Sequence, residues 1–261
     1  MKYLSVRRDA GVARVVLQRP DVRNAFNAGL IGELRAAFEE LGRDDAIRAV
    51  VLEGAGTHFS AGADVNWMRA SIDLTETENE ADAGAMSAML RTIDATPKPV
   101  IGKVHGAALG LGVGLVAVCD VVVAAEDTVF GFTEVKLGII PAVISPFAVA
   151  KIGYSHARAL FITGERFDAQ RAQAIGLVHG VAAASALEDR IDAIVGELRT
   201  AGPNAVAAVK QLLAAIRDAG YEETYHITSR LIARQRVTAE AQEGLHAFLD
   251  RRKAAWIASE G

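Results

Sequence analysis

Two glycine-rich segments, each placed between a predicted buried strand and a predicted helix, constrain the fold most. The first is residues 58–64 (HFSAGAD), which follow a short apolar strand at 49–53, and the second is residues 106–114 (GAALGLGVG), which follow a strand at 100–104. Another apolar strand, at 121–125, comes next. A repeated order of strand, glycine-rich turn and helix predicts an α/β fold with a mostly parallel sheet.

Composition limits the class of protein. The chain has 261 residues, of which 51% are hydrophobic, so it can bury one large core. Its net charge of -4 argues against a broad basic surface for nucleic acid. Cys119 is the only cysteine, which excludes an internal disulfide and indicates a reducing, cytoplasmic setting. No signal peptide is predicted, because residues 1–9 lack an apolar core, and no membrane span is predicted, because the apolar stretches elsewhere are interrupted too early.

The N-terminal half contains three local predictions. Residues 3–18 predict a β-hairpin, and Asn27 predicts the N-cap of a helix that ends at Gly42. The apolar positions of that helix recur at helical spacing at Leu30, Ile31, Leu34, Phe38 and Leu41. The polar, acidic residues 71–82 are interpreted as a mobile lid or an exposed loop.

The C-terminal half is predicted to be almost entirely helical. From about Ala142 onward glycines punctuate helical patterns, and the tail from roughly 190 is amphipathic and rich in alanine. Such a tail covers the same core or packs on a neighbouring subunit.

The glycine-rich segments also indicate a chemistry. A strand that ends in small residues and opens a helix leaves backbone N–H groups unpaired, where the helix dipole favours negative charge. The strand ends before Ala61 and Gly110 could each give one N–H to the same oxygen, as an oxyanion hole requires. The alternative is that the glycines only allow helices to pack tightly on strands.

Other chemistries have weaker support. Residues 112–117 match a dinucleotide fingerprint only loosely, because they lie far from the chain start and are not followed by a clean strand that ends in an acid about twenty residues later. The chain has no serine-hydrolase elbow, no phosphate-binding Walker loop and no zinc-protease motif, and its six histidines are scattered. No metal and no separate cofactor are predicted.

Three runs, FSAGAD at 59–64, GAALG at 106–110 and FGFTEVKLGIIP at 130–141, closely resemble the enoyl-CoA hydratase/isomerase (crotonase) family. The resemblance spans essentially the whole chain. It implies a crotonase-type ββα spiral core over residues 1–190 and a C-terminal helical trimerisation region over 191–261, assembled as a trimer or hexamer. Within the family, the segments at 60–68 and 133–146 look most like those of methylglutaconyl-CoA and isohexenylglutaconyl-CoA hydratases.

The resemblance implies roles for three residues in the reaction. The two oxyanion N–H donors to the thioester of an acyl-CoA fall on Ala63 and Leu111. The second donor is usually a glycine, so Leu111 requires a negative φ and a side chain directed away from the thioester. Glu134 matches the glutamate that exchanges a proton with the substrate carbons.

The same resemblance implies binding residues for coenzyme A, which enters only as part of the substrate. The backbone around Ala61, Ala63 and Val65 would hold the adenine, and Asp64 would order that loop. Arg23 and Lys253 are candidates for the phosphates, Lys253 by reaching a neighbour's site; the alternative for both is a solvated surface charge. Trp67 and Met68 are candidates for lining the acyl pocket, and the alternative for both is a place in the core.

One position departs from the family pattern. The first catalytic glutamate would fall at Gly114, which also makes Gly114 a candidate pocket residue. Three interpretations follow: hydration by Glu134 alone, with the carboxylate of a glutaconyl-type substrate holding water in the space left by Gly114; double-bond isomerisation; or acyl-CoA binding without turnover. Loss of a general base typically costs about 10²–10⁴-fold in rate, so hydration is not excluded.

Overall fold

Within residues 1–257, which the computed structural model describes, the chain forms nine strands and ten α-helices. The strands are β1 (Leu4–Asp9), β2 (Val12–Leu17), β3 (Ala49–Gly54), β4 (Val100–Val104), β5 (Ala107–Leu109), β6 (Val121–Ala125), β7 (Val129–Gly131), β8 (Arg166–Asp168) and β9 (Gly180–Ala182). The helices are α1 (Ala28–Arg43), α2 (Val65–Ser71), α3 (Glu76–Asp94), α4 (Leu111–Val118), α5 (Ser145–Thr163), α6 (Ala169–Ala174), α7 (Leu187–Thr200), α8 (Pro203–Ile216), α9 (Tyr221–Arg236) and α10 (Ala239–Leu249).

The predicted mostly parallel sheet is confirmed. Six strands pair in the order β1-β2-β3-β4-β6-β9, and every pair except β1 with β2 is parallel. A second sheet has the order β5-β7-β8, with β5 and β7 parallel. Successive side chains of a strand point to opposite faces, so Val50 and Leu52 lie in the main core while Val51 lies in a second cluster covered by α7.

The N-terminal predictions hold with one correction. The hairpin of β1 and β2 is present, and the Asn27 side chain accepts a hydrogen bond from the Leu30 N–H at 2.9 Å. All five predicted apolar positions of α1 are buried. The predicted end at Gly42 is wrong by one residue, because α1 continues to Arg43 before Asp44 leaves the helical conformation.

The prediction of a lid or loop at 71–82 is largely wrong. Helix α3 begins at Glu76, and only residues 72–75 connect it to α2. Thr75 and Glu78 form a capping box in which each side chain bonds the other's backbone N–H. The acidic residues therefore lie in the first turns of a helix, where the helix dipole favours negative charge.

The C-terminal half contains two strands that the sequence pattern missed, β8 and β9. Each has only three residues, too few for an alternating pattern to stand out. The helical tail is present as α7 to α10. Position 190 lies inside α7, whose Leu187, Ile191 and Val195 are buried against the main sheet, and the division into a core and a trimerisation region stays a prediction.

Helix α4 is the most apolar element and carries one edge of the site. All eight of its residues are buried. Within residues 1–257 no helix is both long enough and apolar enough to span a bilayer.

Candidate active site

The two glycine-rich segments lie side by side, joined by a parallel bridge between Ser60 and Ala108. The Ser60 N–H donates to the Ala107 carbonyl at 2.9 Å, and the Leu109 N–H donates to the Ser60 carbonyl at 3.0 Å. The Gly110 N–H donates to the Gly131 carbonyl at 3.0 Å, which ties the second segment to β7. The segments that carry the predicted donors and Glu134 therefore meet at one edge of the small sheet.

Two glycines permit this close approach. Gly62 has a φ of 92°, and a Cβ added there would lie 2.9 Å from the Leu109 carbonyl oxygen. Gly110 has a φ of 51°, and a Cβ there would lie 3.5 Å from Glu134 Oε1. Both backbones occupy the region that favours glycine, and an added side chain would enter the space between the segments.

The two predicted donor N–H groups have no backbone acceptor within the described residues. Ala63 forms a parallel bridge with Phe26, but the bonds run from Phe26 N–H to Gly62 and from Asp64 N–H to Phe26. Leu111 is the first residue of α4, where an N–H has no partner inside the helix. Both residues line one cavity of about 350 Å³. Their joint role as an oxyanion hole stays a prediction.

Leu111 meets the first of the two conditions for a leucine at this position, a negative φ. Its φ is negative, because the positive-φ residues other than glycine lie elsewhere in the chain. Its side chain is 7% exposed, and its Cδ1 lies 3.6 Å from the point where a Cβ on residue 114 would stand. The leucine side chain thus packs toward Gly114 while its N–H is left at the helix terminus.

Glu134 is the acidic group of the cavity that lies closest to the second segment. It begins a short 3-10 helix, Glu134–Leu137, after β7. Its Oε2 is buried and has no hydrogen-bond partner within the described residues. Burial raises the pKa of its carboxyl, because desolvation disfavours the charged form. A carboxyl in this state suits a group that both gives and takes a proton.

The raised pKa of Glu134 predicts a pH-dependent stability. A carboxyl whose pKa is higher in the folded state stabilises that state fully at pH below its unfolded pKa, and the contribution is lost as pH rises through the folded pKa. Glu134→Gln lacks this titration. We therefore expect the free energy of unfolding of the wild type to fall, relative to that of Glu134→Gln, as pH rises from about 4 to about 8. Urea unfolding of both proteins across this range measures the difference, and a constant difference would contradict the prediction.

The space expected beside Gly114 is filled, and this corrects the hypothesis that a water is held there. A Cβ on residue 114 would lie 2.4 Å from Ile144 Cγ2 and 3.2 Å from Ile144 Cβ. Gly114 is buried and does not line the cavity, whereas Ile144 does. The expectation of Gly114 as a pocket residue is thus wrong, because Ile144 Cγ2 lies where the Cβ of a side chain at position 114 would stand.

The rest of the cavity wall is mostly apolar. Trp67 and Met68 both line it, and Trp67 also packs against the main core. The polar side chains from α2 and α3 in the wall are Ser71, Asn79 and Asp82. No lysine or arginine is among the lining residues of the described chain.

Asp64 caps α2 and forms an ion pair beside the first segment. Its side chain is buried and its carboxylate accepts a hydrogen bond from the Asn66 N–H at 2.8 Å, which caps α2. It also pairs with the Arg19 guanidinium at 2.7 Å. This hydrogen bond from Arg19 holds the pKa of Asp64 below its usual range. Sequence reasoning missed Arg19, whose partner lies 45 residues away along the chain.

Of the remaining candidates for coenzyme A, Ala61 lines the cavity and the others do not. The Ala61 N–H donates to the Arg23 carbonyl at 2.9 Å, so only the carbonyl of Ala61 remains for adenine. Val65 and Arg23 are exposed beside this loop. Lys253 is exposed and does not line the cavity of its own chain. Their roles toward coenzyme A stay predictions.

Comparison with known proteins identifies the class of this fold and site. The family model described as enoyl-CoA hydratase/isomerase matches residues 7–259. The chain is 33% identical to the 2,3-dehydroadipyl-CoA hydratase of Escherichia coli (strain K12) over 253 residues, 97% of each protein.

Solved structures agree with the sequence match. A crystal structure of an enoyl-CoA hydratase from Shewanella pealeana ATCC 700345 superposes with a TM-score of 0.94 at 39% identity, over 97% of this chain and 96% of the other. AtuE of Pseudomonas aeruginosa superposes with a TM-score of 0.95 at 39% identity, over 98% of this chain and 100% of the other. The protein is an enzyme with the crotonase fold. It belongs to the enoyl-CoA hydratase/isomerase family, as its three sequence runs predicted.

Proposed function

We propose that this enzyme adds water across the double bond of an enoyl-CoA thioester. The observation that supports the proposal best is the buried, unpartnered Oε2 of Glu134 in the same cavity as Ala63 and Leu111. Two N–H groups that hold a thioester oxygen would stabilise the enolate, and Glu134 would exchange a proton with the α-carbon.

For the substrate we propose a branched, methylglutaconyl-type acyl group. The proposal is supported by the resemblance of residues 60–68 and 133–146, and the name of the Escherichia coli relative gives that protein another enoyl-CoA with a carboxylate, 2,3-dehydroadipyl-CoA. A counter-charge for such a carboxylate would come from outside the described cavity wall, which contains no lysine or arginine. A neutral branched enoyl-CoA is therefore the essential comparison in any assay.

Double-bond isomerisation is the second candidate, and Ile144 is the observation that favours it. Ile144 replaces a carboxylate with an apolar wall, and moving a double bond needs one base and no water. Glu134 alone would then carry a proton between the α-carbon and the γ-carbon.

A panel of thioesters tests these proposals. Crotonyl-CoA, 3-methylcrotonyl-CoA, 3-methylglutaconyl-CoA and a β,γ-unsaturated enoyl-CoA would be followed for water uptake and for double-bond migration. We expect water uptake, with kcat/KM highest for 3-methylglutaconyl-CoA. Hydration of that substrate no faster than crotonyl-CoA would refute the acyl class, and migration without water uptake would favour the isomerase. Binding without turnover of any thioester would support a non-catalytic acyl-CoA-binding protein.

We further propose a homo-oligomer, a trimer or hexamer, in the cytoplasm. Its support is the exposed apolar surface of the C-terminal helices, including Leu213, Tyr225 and Phe248. Cys119 is buried and unpaired, which is consistent with a reducing compartment. Light scattering of the purified protein would determine the number of subunits.

A further inference from the structure

The cavity contains a second carboxylate, from α3, that no sequence motif singles out. Asp82 lines the same cavity as Ala63, Leu111 and Glu134. Its side chain is half-buried, and within residues 1–257 no hydrogen bond or ion pair engages its carboxylate. A carboxylate without a partner in a mostly apolar ligand cavity points to a function in that cavity.

Asp82 lies where the polar start of α3 meets the face of the helix that packs on the core. Met89, Leu90 and Ile93 form the buried stripe of α3, and Met86 packs against the same core. Asp82 lies one turn before Met86 on this stripe, since residues four apart share a helix face. The Asp82 carboxylate therefore lies on the helix face that carries the apolar stripe and not on the solvent face.

The polar groups left free at this end of the cavity are hydrogen-bond acceptors. The Asn79 amide nitrogen already donates to the carbonyls of Leu74 and Thr75, at 3.2 and 3.1 Å. The Ser71 hydroxyl donates to the Met68 carbonyl at 2.8 Å. The Asp82 carboxylate and the Asn79 Oδ1 remain, and both accept from an O–H group. Water is the O–H reactant of a hydration.

On the side of the cavity next to Gly114, no second carboxylate of residues 1–257 is available to hold a water. Ile144 fills the position beside Gly114, where the family's first glutamate would stand. The carboxylates that line the cavity within the described residues are those of Glu134 and Asp82. A water that is activated by a carboxylate other than Glu134 is therefore held at the α3 side.

We propose that Asp82 is a second catalytic residue, which holds the attacking water and takes its proton; this rests on the hydration proposed above. The water oxygen bonds to the β-carbon as one of its O–H bonds breaks, and that proton goes to Asp82. Glu134 gives its proton to the α-carbon, while the N–H groups of Ala63 and Leu111 hold the thioester oxygen. Afterwards Asp82 releases a proton to solvent and Glu134 takes one up, so the atoms and charges balance.

The environments of the two carboxylates agree with Glu134 as the proton donor and Asp82 as the base. Burial raises the pKa of Glu134, which increases its protonated fraction near neutral pH and suits a proton donor. Asp82 shares the polar part of the cavity wall with Asn79 and Ser71.

The test compares Asp82→Asn with the wild type in two reactions. For the hydrated enoyl-CoA, we expect kcat to fall by about 10²-fold, the lower end of the effect of a general base. For exchange of the α-proton of butyryl-CoA in deuterium oxide, which needs Glu134 but no attacking water, we expect a rate within about twofold of the wild type. Asp82→Glu keeps a carboxylate and should recover part of the hydration rate. Glu80→Gln, an exposed charge change on the same helix, is the matched control and should alter neither reaction.

The outcomes separate this inference from the proposed function. Hydration by Asp82→Asn at the wild-type rate would overturn the role of Asp82 while leaving the hydratase intact. Loss of both reactions in Asp82→Asn would show a structural role and would also overturn it. Wild-type double-bond migration without water uptake, unchanged by Asp82→Asn, would refute the hydratase and the inference together.

Discussion

Glutamine in place of Glu134 is expected to lower kcat by about 10²–10⁴-fold, the usual loss when an acid–base group is removed. The amide has nearly the shape of the carboxyl but cannot give or take a proton at neutral pH. Glu134 Oε2 has no hydrogen-bond partner within the described residues, so the substitution breaks no bond of that oxygen. KM should change little, because the cavity wall and the two N–H groups remain.

The measurement is steady-state hydration of the best enoyl-CoA substrate by both proteins. Glu126→Gln is the matched control, because Glu126 is exposed and lies at the end of β6, outside the cavity wall. A Glu134→Gln enzyme with more than about a tenth of the wild-type kcat would remove Glu134 from the reaction. A large rise in KM with unchanged kcat would give Glu134 a role in binding only.

Much of the fold was predictable because local signals agreed with the tertiary structure. The period-two pattern of β1 and β2 and the cap at Asn27 depend on neighbouring residues, and both are present. The strands before the glycine-rich segments were evident from their apolar runs. The acidic start of α3 misled the interpretation, since a polar composition was taken for a loop although Thr75 and Glu78 form a helix start.

The only site residues that the sequence predicted are those that lie within the family's sequence motifs. Ala63, Leu111 and Glu134 come from three separate segments, and the structure brings them to one cavity. Ile144 and Asp82 belong to no motif, and only the folded chain shows that both line the cavity. Ile144 lies 30 residues from Gly114 along the chain, and no rule of spacing predicts that it fills the place of a missing side chain.

Glutamate at position 114, which would restore the family's first acid, is expected to destabilise the enzyme rather than improve it. The new Cβ would lie 2.4 Å from Ile144 Cγ2, far inside contact distance. Overpacking a core typically costs about 1–3 kcal/mol, and a carboxylate without a partner in a buried site adds to that cost. We expect Gly114→Glu to lose about 4 kcal/mol or more of its free energy of unfolding, measured by urea denaturation. Gly84→Glu is the matched control, since Gly84 lies in α3 with no atom within 4 Å of an added Cβ.

Ile144→Ala should relieve part of this cost if the two positions form one packing unit. The alanine removes Cγ2, the atom closest to the new Cβ, although Ile144→Ala alone is expected to cost about 2–5 kcal/mol as a cavity. In a double-mutant cycle the combined loss should therefore be smaller than the sum of the single losses, by about 0.5–3 kcal/mol. Strictly additive losses would mean that Ile144 does not replace the missing glutamate. The combination of Ile144→Ala with Gly84→Glu should show no such difference from the sum. A combined loss that is smaller than the sum only for position 114 would establish that a glutamate there and Ile144 exclude each other.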